Sequence, residues 1–170
     1  MQPVEEPVPR PRRRLPWLAG AIALVAASVV AAFASSDDLA KPDDKTAELT
    51  GAAKIFTLEE VREGRPPVRL LDFQGMPVVI NFFGSWCPPC LREMPDFQAV
   101  AEQHKGKVAF IGVTVSDTRP QAEEVLRRTG VTYPAGFDPE NKVALAYGVS
   151  GMPTTMFISP SGKLLERAQG

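Results

Sequence analysis

The chain has 170 residues, 19 of them basic and 20 acidic, for a formal net charge of −1. That length suits one domain with extensions, and so even a balance offers no basic field for nucleic acid, so a nucleic-acid partner is set aside. The hydrophobic fraction of 44% is that of an ordinary globular protein, and the only two cysteines sit together in one Cys-x-x-Cys.

Residues 1–14 are rich in Pro and Arg, show no apolar period, and are predicted to be a disordered cytoplasmic tail. Arg12, Arg13 and Arg14 abut a charge-free apolar run from Leu15 to Ala34. At about 1.5 Å per residue such a run crosses a hydrocarbon core of about 30 Å. Trp17 lies near one end, where an indole suits the interface. Arg10 and the three following arginines precede the run, whereas Asp37 and Asp38 follow it. The positive-inside tendency therefore places the N-terminus in the cytoplasm and everything after the run outside. Residues 15–34 are expected to be an uncleaved single-pass anchor. The small-x-small triplet Ala32-Phe33-Ala34 keeps a cleaved signal sequence open, and either way the remainder is exported. Residues 35–54 carry little apolar content and are expected to be a flexible linker to a domain at 55–170.

Within that domain, Thr57 to Val61 is predicted to be a short helix, with Thr57 and Glu60 at capping-box spacing. Val68 to Leu71 follows as a short strand. Pro77 to Phe83 is a continuous, β-branched apolar run between Gly75 and Gly84, the signature of a central strand covered on both faces. A helix is expected from Cys87 to His104, with Met94, Phe97 and Ala101 on one face, a kink at Pro95, and Gly106 ending it. Val108 to Val115 is a second buried strand. Helices are expected at Pro120–Arg128 and at Asp138–Tyr147, the latter with Asp138 as N-cap and Pro139 in the first position. A hairpin closes the pattern, its strands Thr154–Ser159 and Lys163–Ala168 joined by Pro160-Ser161-Gly162. Strands alternating with helices imply a mainly parallel sheet between helices, and the hairpin adds an antiparallel edge.

Cys87-Pro88-Pro89-Cys90 falls where a strand and loop hand over to a helix. The first N–H groups of a helix lack internal partners and the dipole is positive there, so a thiolate at Cys87 is stabilised. Cys90, one turn on, can attack a mixed disulfide formed at Cys87. Pro88 and Pro89 fit the first turn but remove two donors, so the thiol pKa falls only modestly, which favours a reductant over a strong oxidant. Three other uses of the pair stand beside this one: a structural disulfide, half of a zinc site, and chance. A ring closed over so few residues removes little chain entropy, roughly 2 kcal/mol, and makes a poor staple. Zinc wants four ligands, and the single histidine, His104, lies at the far end of the same helix.

Trp-Cys-Pro-Pro-Cys-Leu-Arg-Glu-Met-Pro (86–95), Val-Val-Ile-Asn-Phe-Phe (78–83) and Tyr-Gly-Val-Ser-Gly-Met-Pro-Thr-Thr (147–155) together resemble the TlpA/ResA/CcmG-like membrane-anchored thiol-disulfide oxidoreductases of the thioredoxin superfamily. The resemblance covers about residues 55–170. It implies a thioredoxin-like three-layer α/β/α fold with a central mixed sheet and an antiparallel edge hairpin. The stretch from Asp117 to Tyr147 matches the family's helix-strand-helix insertion. Cys87 and Cys90 would be a redox-active disulfide, with Cys87 attacking and Cys90 resolving. Pro153 would be a cis-proline facing them, leaving the backbone of Met152 free to pair with an extended substrate segment. Trp86, Pro88, Pro89 and Met152 would form the substrate-binding surface. Asn81 stands where cytoplasmic thioredoxins carry a buried Asp, so Glu93, matching the family's active-site Glu, would handle the proton; the alternative for Glu93 is a solvated helix carboxylate. The implied function is a reductase of extracytoplasmic protein disulfides, apocytochrome c among them, recharged by a membrane thiol carrier of the CcdA or DsbD kind, with no cofactor and no metal. A disulfide-inserting oxidant and a redox-inactive binding module are the alternatives. One departure is that such domains carry a helix after the last strand, whereas this sequence stops at Gly170. That helix is expected either to lie beyond Gly170 or to be missing, with part of one sheet face uncovered.

Overall fold

The computed structural model of the protein describes residues 51–170. The predicted tail and anchor, and the linker up to residue 50, lie outside the described residues. Among the described residues no helix is long and apolar enough to cross a membrane.

The described chain runs β1 (Thr57–Leu58), β2 (Val68–Arg69), a 3-10 turn (Leu70–Phe73), β3 (Val78–Phe83), α1 (Pro88–Gln103), β4 (Ala109–Thr114), α2 (Arg119–Thr129), β5 (Ala135–Gly136), α3 (Lys142–Ala146), β6 (Thr154–Ile158) and β7 (Leu164–Gln169). β1 and β2 form a small antiparallel ribbon, and the main sheet has the order β5-β4-β3-β6-β7. β3 pairs parallel with β4 and antiparallel with β6, and β6 pairs antiparallel with β7, so the sheet is mixed with a hairpin at one edge. This is a thioredoxin-like α/β fold.

β3 and β4 are buried along their whole length, as their unbroken apolar runs imply. Alternation along β3 divides its side chains between two cores. Ile80 and Phe82 join Ile111, Val113, Met156 and the α3 residues Val143 and Ala144 on one face. Val79 and Phe83 join Cys87, Cys90 and Met94 from the start of α1, with Val125 and Leu126 of α2, on the other. Three layers follow, with α1 and α2 covering one face and α3 the other. α1 continues through Pro95, the bond lost at that residue being offset by the packing of its neighbour Met94, which is fully buried.

Three expectations are corrected. Thr57 to Val61 is not a helix: Thr57 and Leu58 pair with Arg69 and Val68, and Glu60 bridges to Gly136. The Glu60 side chain, placed by spacing in a capping box, instead accepts from Arg62 Nε at 3.0 Å, while the same guanidinium donates to the carbonyls of Val131 and Tyr133. Partners remote in sequence thus override the local signal. The helix expected from Asp138 begins later, at Lys142, and its N-cap is Asn141 with a left-handed φ of 58°. Asp138 still satisfies that helix start, because its carboxylate accepts from the N–H groups of Val143 (2.9 Å) and Ala144 (3.0 Å) across the turn. The short strand β5 lies between α2 and α3, as the helix-strand-helix resemblance implies, although its two residues carry no periodicity from which to read it directly. Residues 70 and 71, expected in a strand, belong to the 3-10 turn.

Asp138 is only 2% exposed, so its removal would strand two buried donors. Asp138→Ala is therefore expected to destabilise the fold by about 1–2 kcal/mol, the usual range for a lost helix cap. Urea unfolding measures this, and an unchanged midpoint would show that the cap contributes nothing.

Candidate active site

β3 delivers the chain into Gly84-Ser85-Trp86, and Cys87 is the last extended residue before α1, with φ −106° and ψ 92°. Its N–H donates to Gly84 O (3.0 Å) and its carbonyl accepts from Leu91 N (3.3 Å). Pro88 and Pro89 fill the first two helical positions, so the next available donor is Cys90 N, which reaches Cys87 Sγ at 3.3 Å. The two cysteines are joined in a disulfide, with Cα atoms 5.4 Å apart. Cys87 is 3% exposed and Cys90 is fully buried. Both are therefore buried, Cys87 keeping a trace of exposure and Cys90 none.

The loop beneath Trp86 is held by specific bonds. Trp86 Nε1 donates to Val115 O at 2.9 Å, while the ring remains 52% exposed beside the disulfide. Ser85 donates through its N–H (2.6 Å) and its hydroxyl (2.8 Å) to the carboxylate of Asp117. Gly84 is required here, because a Cβ would lie 2.6 Å from the indole nitrogen. Pro88 and Pro89 are exposed on the same rim.

Opposite them, the Met152–Pro153 peptide is cis. Met152 is half-buried against the core that contains both cysteines, and Pro153 is buried at the head of β6.

Between β3 and the first turns of α1 lies a small polar group. Asn81, on the α1 face of β3 and 1% exposed, donates through Nδ2 to Glu93 Oε1 at 3.1 Å. Burial raises the Glu93 pKa above the ordinary carboxylate value, and the Asn81 bond opposes that rise. Tyr133 is a third member that the sequence did not reveal. Its ring packs over Gly112, the residue opposite Asn81 in the β3–β4 register. Burial, and then the Glu93 charge, push its phenol pKa upward, so it is neutral. The Asn81 Oδ1 and Tyr133 hydroxyl atoms are buried without a hydrogen-bond partner. The structure therefore brings Trp86, the two cysteines, the two prolines, Glu93, Met152 and Pro153 to one end of the sheet. The Ser85–Asp117 clamp and Tyr133 were missed. No local spacing encodes either; only the strand register joins their parts.

A thioredoxin-like sheet with a Cys-x-x-Cys at the β3–α1 junction defines a thiol-disulfide oxidoreductase. The comparisons agree. The Redoxin family model matches residues 42–170. The thiol-disulfide oxidoreductase ResA of Oceanobacillus iheyensis is 32% identical over 162 residues, 94% of this chain and 83% of that protein. ResA of Bacillus subtilis is 30% identical over 141 residues, 82% of this chain and 73% of that protein. Among solved structures, a thioredoxin family thiol:disulfide interchange protein of Chlorobium tepidum is 28% identical with a TM-score of 0.63, covering 71% of this chain and 86% of that one. A DsbF homologue of Corynebacterium diphtheriae is 27% identical with a TM-score of 0.64, covering 76% and 87%. The chain belongs to the Redoxin family, within which it is a TlpA/ResA/CcmG-like protein-disulfide oxidoreductase.

The raised Glu93 pKa links to stability with a definite sign. Between the ordinary carboxylate value and the raised one, the folded state binds more protons than the unfolded state, so stability falls as pH rises through that window. Glu93→Gln removes the titrating group, so its stability should be flatter with pH over the same range. Urea midpoints of parent and variant from acid to neutral pH test this; parallel curves would mean that Glu93 titrates as an ordinary surface carboxylate.

Proposed function

We propose that this protein is a dithiol reductase of extracytoplasmic protein disulfides, with Cys87 as the attacking thiol and Cys90 as the resolving one. The observation that carries the proposal is the placement of the pair. Cys87 caps α1 directly after the exposed Trp86, in the cluster against which Met152 packs, and keeps a trace of exposure, while Cys90 keeps none. In the reduced protein a Cys87 thiolate attacks one sulfur of a substrate disulfide. The Cys87–substrate bond forms, the substrate S–S bond breaks, and the departing substrate thiolate takes up a proton. Cys90, deprotonated, then attacks Cys87 Sγ. The Cys87–Cys90 bond closes and the second substrate thiolate leaves and is protonated. Two electrons and two protons pass to the substrate, and the protein ends as the disulfide seen here.

Glu93 would be the group that accepts the Cys90 proton, since Asn81 cannot and Glu93, one helical turn after Cys90, is held above its ordinary pKa. Trp86, Pro88, Pro89 and Met152 would form the docking rim, with Met152 offering backbone atoms to an extended substrate segment and Pro153 holding that loop against the disulfide. The family resemblance supports apocytochrome c as the substrate and a membrane carrier of the CcdA or DsbD kind as the electron source. The charge-free run at 15–34 behind its arginines supports a single-pass anchor with this domain outside the cell membrane.

Pro88 and Pro89 leave the thiolate with two fewer donors, which supports a reducing potential. A glutathione titration should give a value nearer that of thioredoxin (about −270 mV) than of DsbA (about −120 mV). A value near DsbA's would transfer the protein to the oxidant class. In native membranes Cys90→Ser should accumulate mixed disulfides with exported cytochromes. Mixed disulfides with newly exported secretory proteins would instead indicate disulfide insertion, and an absence of any would indicate a binding module.

Glu93→Gln should lower the pH at which the thiols titrate, because a nearby carboxylate disfavours a second negative charge, and should slow turnover of a protein disulfide. Alkylation rates across pH and insulin reduction measure the two effects. Parental values of both would remove Glu93 from the mechanism.

A further inference from the structure

The loop from Gly148 to Pro153, which carries Met152 to the disulfide, is braced from behind by β7. Gly148 adopts a left-handed φ of 64° and Gly151 follows three residues on, so the segment has backbone freedom that must be restrained to hold one shape. Arg167 and Gln169 supply that restraint. Arg167 lies opposite Met156 and Gln169 opposite Thr154 in the β6–β7 register, so both side chains project to the same face. Arg167 Nη2 donates to Gly148 O, and its guanidinium lies 3.8 Å from where a Gly148 Cβ would stand. The Gln169 amide covers Gly151 so closely that a Cβ there would collide with Nε2. Gly170 N donates to Pro153 O at 3.1 Å.

Arg167 invites explanation for a second reason. Its Nε is buried without a partner, and no carboxylate pairs with it in the ion pairs of the described residues. The residue as a whole is half-buried, but an N–H withdrawn from water without a partner costs stability unless other bonds of the group offset the loss. The bond it does make is to the loop that borders the disulfide.

We propose that Arg167, assisted by Gln169, is a positioning residue that holds the Gly148–Pro153 loop in the shape that receives an extended substrate segment beside Cys87. This rests on the reductase function proposed above. The brace acts on the docking of a polypeptide. A small disulfide that reaches Cys87 without lying along the loop has little need of it. The selectivity between the two is therefore the quantity to measure, since a loss of general stability would affect both alike.

The experiment compares kcat/KM for insulin with that for a small aromatic disulfide, dithiobis(nitrobenzoate), in the parent, Arg167→Met and Arg167→Lys. Arg167→Met keeps the length and apolar stem but has no donor. Its insulin-to-small-disulfide ratio should fall about tenfold, chiefly through KM for insulin, a change of about 1.4 kcal/mol. Arg167→Lys, which retains one donor for Gly148 O, should recover at least half of that loss on a logarithmic scale. Should Arg167→Met fail to fold, Gln169→Ala, which uncovers Gly151, should lower the same ratio severalfold. An unmoved ratio, or an equal fall for both substrates, in a folded variant would overturn the positioning role while leaving the reductase function standing. A parent that reduces neither substrate would overturn the reductase function and this inference together.

Discussion

The N–H of Cys90 donates to the sulfur of Cys87 at the point where β3 becomes α1. A helix start must satisfy or lose its first donors. Here two are absent because Pro88 and Pro89 occupy the first positions, and the next is taken by sulfur. The helix cap and the chemical group are thus the same atom. Everything that fixes α1 also fixes Cys87 Sγ: the buried Met94 beneath the helix, the fully buried β3 that precedes it, and the Ser85–Asp117 clamp that sets the entry angle. In such an arrangement stability and reactivity cannot be adjusted separately at position 87.

Glu93 lies where the apolar core meets the disulfide, and the sheet has made room for it. Asn81 is a polar residue on the α1 face of β3, Gly112 opposite it leaves space for the Tyr133 ring, and Phe83 and Phe110 pack around them. A half-buried carboxylate and two unpaired polar atoms make this the least satisfied part of the core. Polar atoms left in that state are costly and gather where function requires them. Asn81 bonds to Glu93, one helical turn after Cys90, and that link to the redox pair is what relates packing to chemistry in this molecule.

What the sequence disclosed and what it withheld divide along one physical line. Features encoded within a single turn or strand were legible. Val78–Phe83 and Ala109–Thr114 declare themselves by continuous apolar content, and the Cys pair by its own spacing at the start of α1. Features made by residues far apart were not. Glu60 has the spacing of a capping box, yet its partner is Arg62, which is itself anchored to the carbonyls of Val131 and Tyr133. Asp138 caps a helix from beyond a turn, which shifts the helix without removing the cap. In the site, Asn81 and Glu93 were singled out separately, but their hydrogen bond, the Tyr133 ring behind it and the β7 brace behind Met152 depend on strand register, which no local window contains.

The two halves of the site lie on opposite sides of that register. Cys87 follows β3, whereas Pro153 precedes β6, and the strands become neighbours only when Val78 meets Ile158 and Phe82 meets Thr154. Loop closure of that span must be completed before its contacts contribute, so β6 is expected to join the sheet late. Until it does, the chain carries two ordinary thiols on a nascent helix, with no facing loop to accept a polypeptide. Competence for selective exchange is therefore a property of the finished topology.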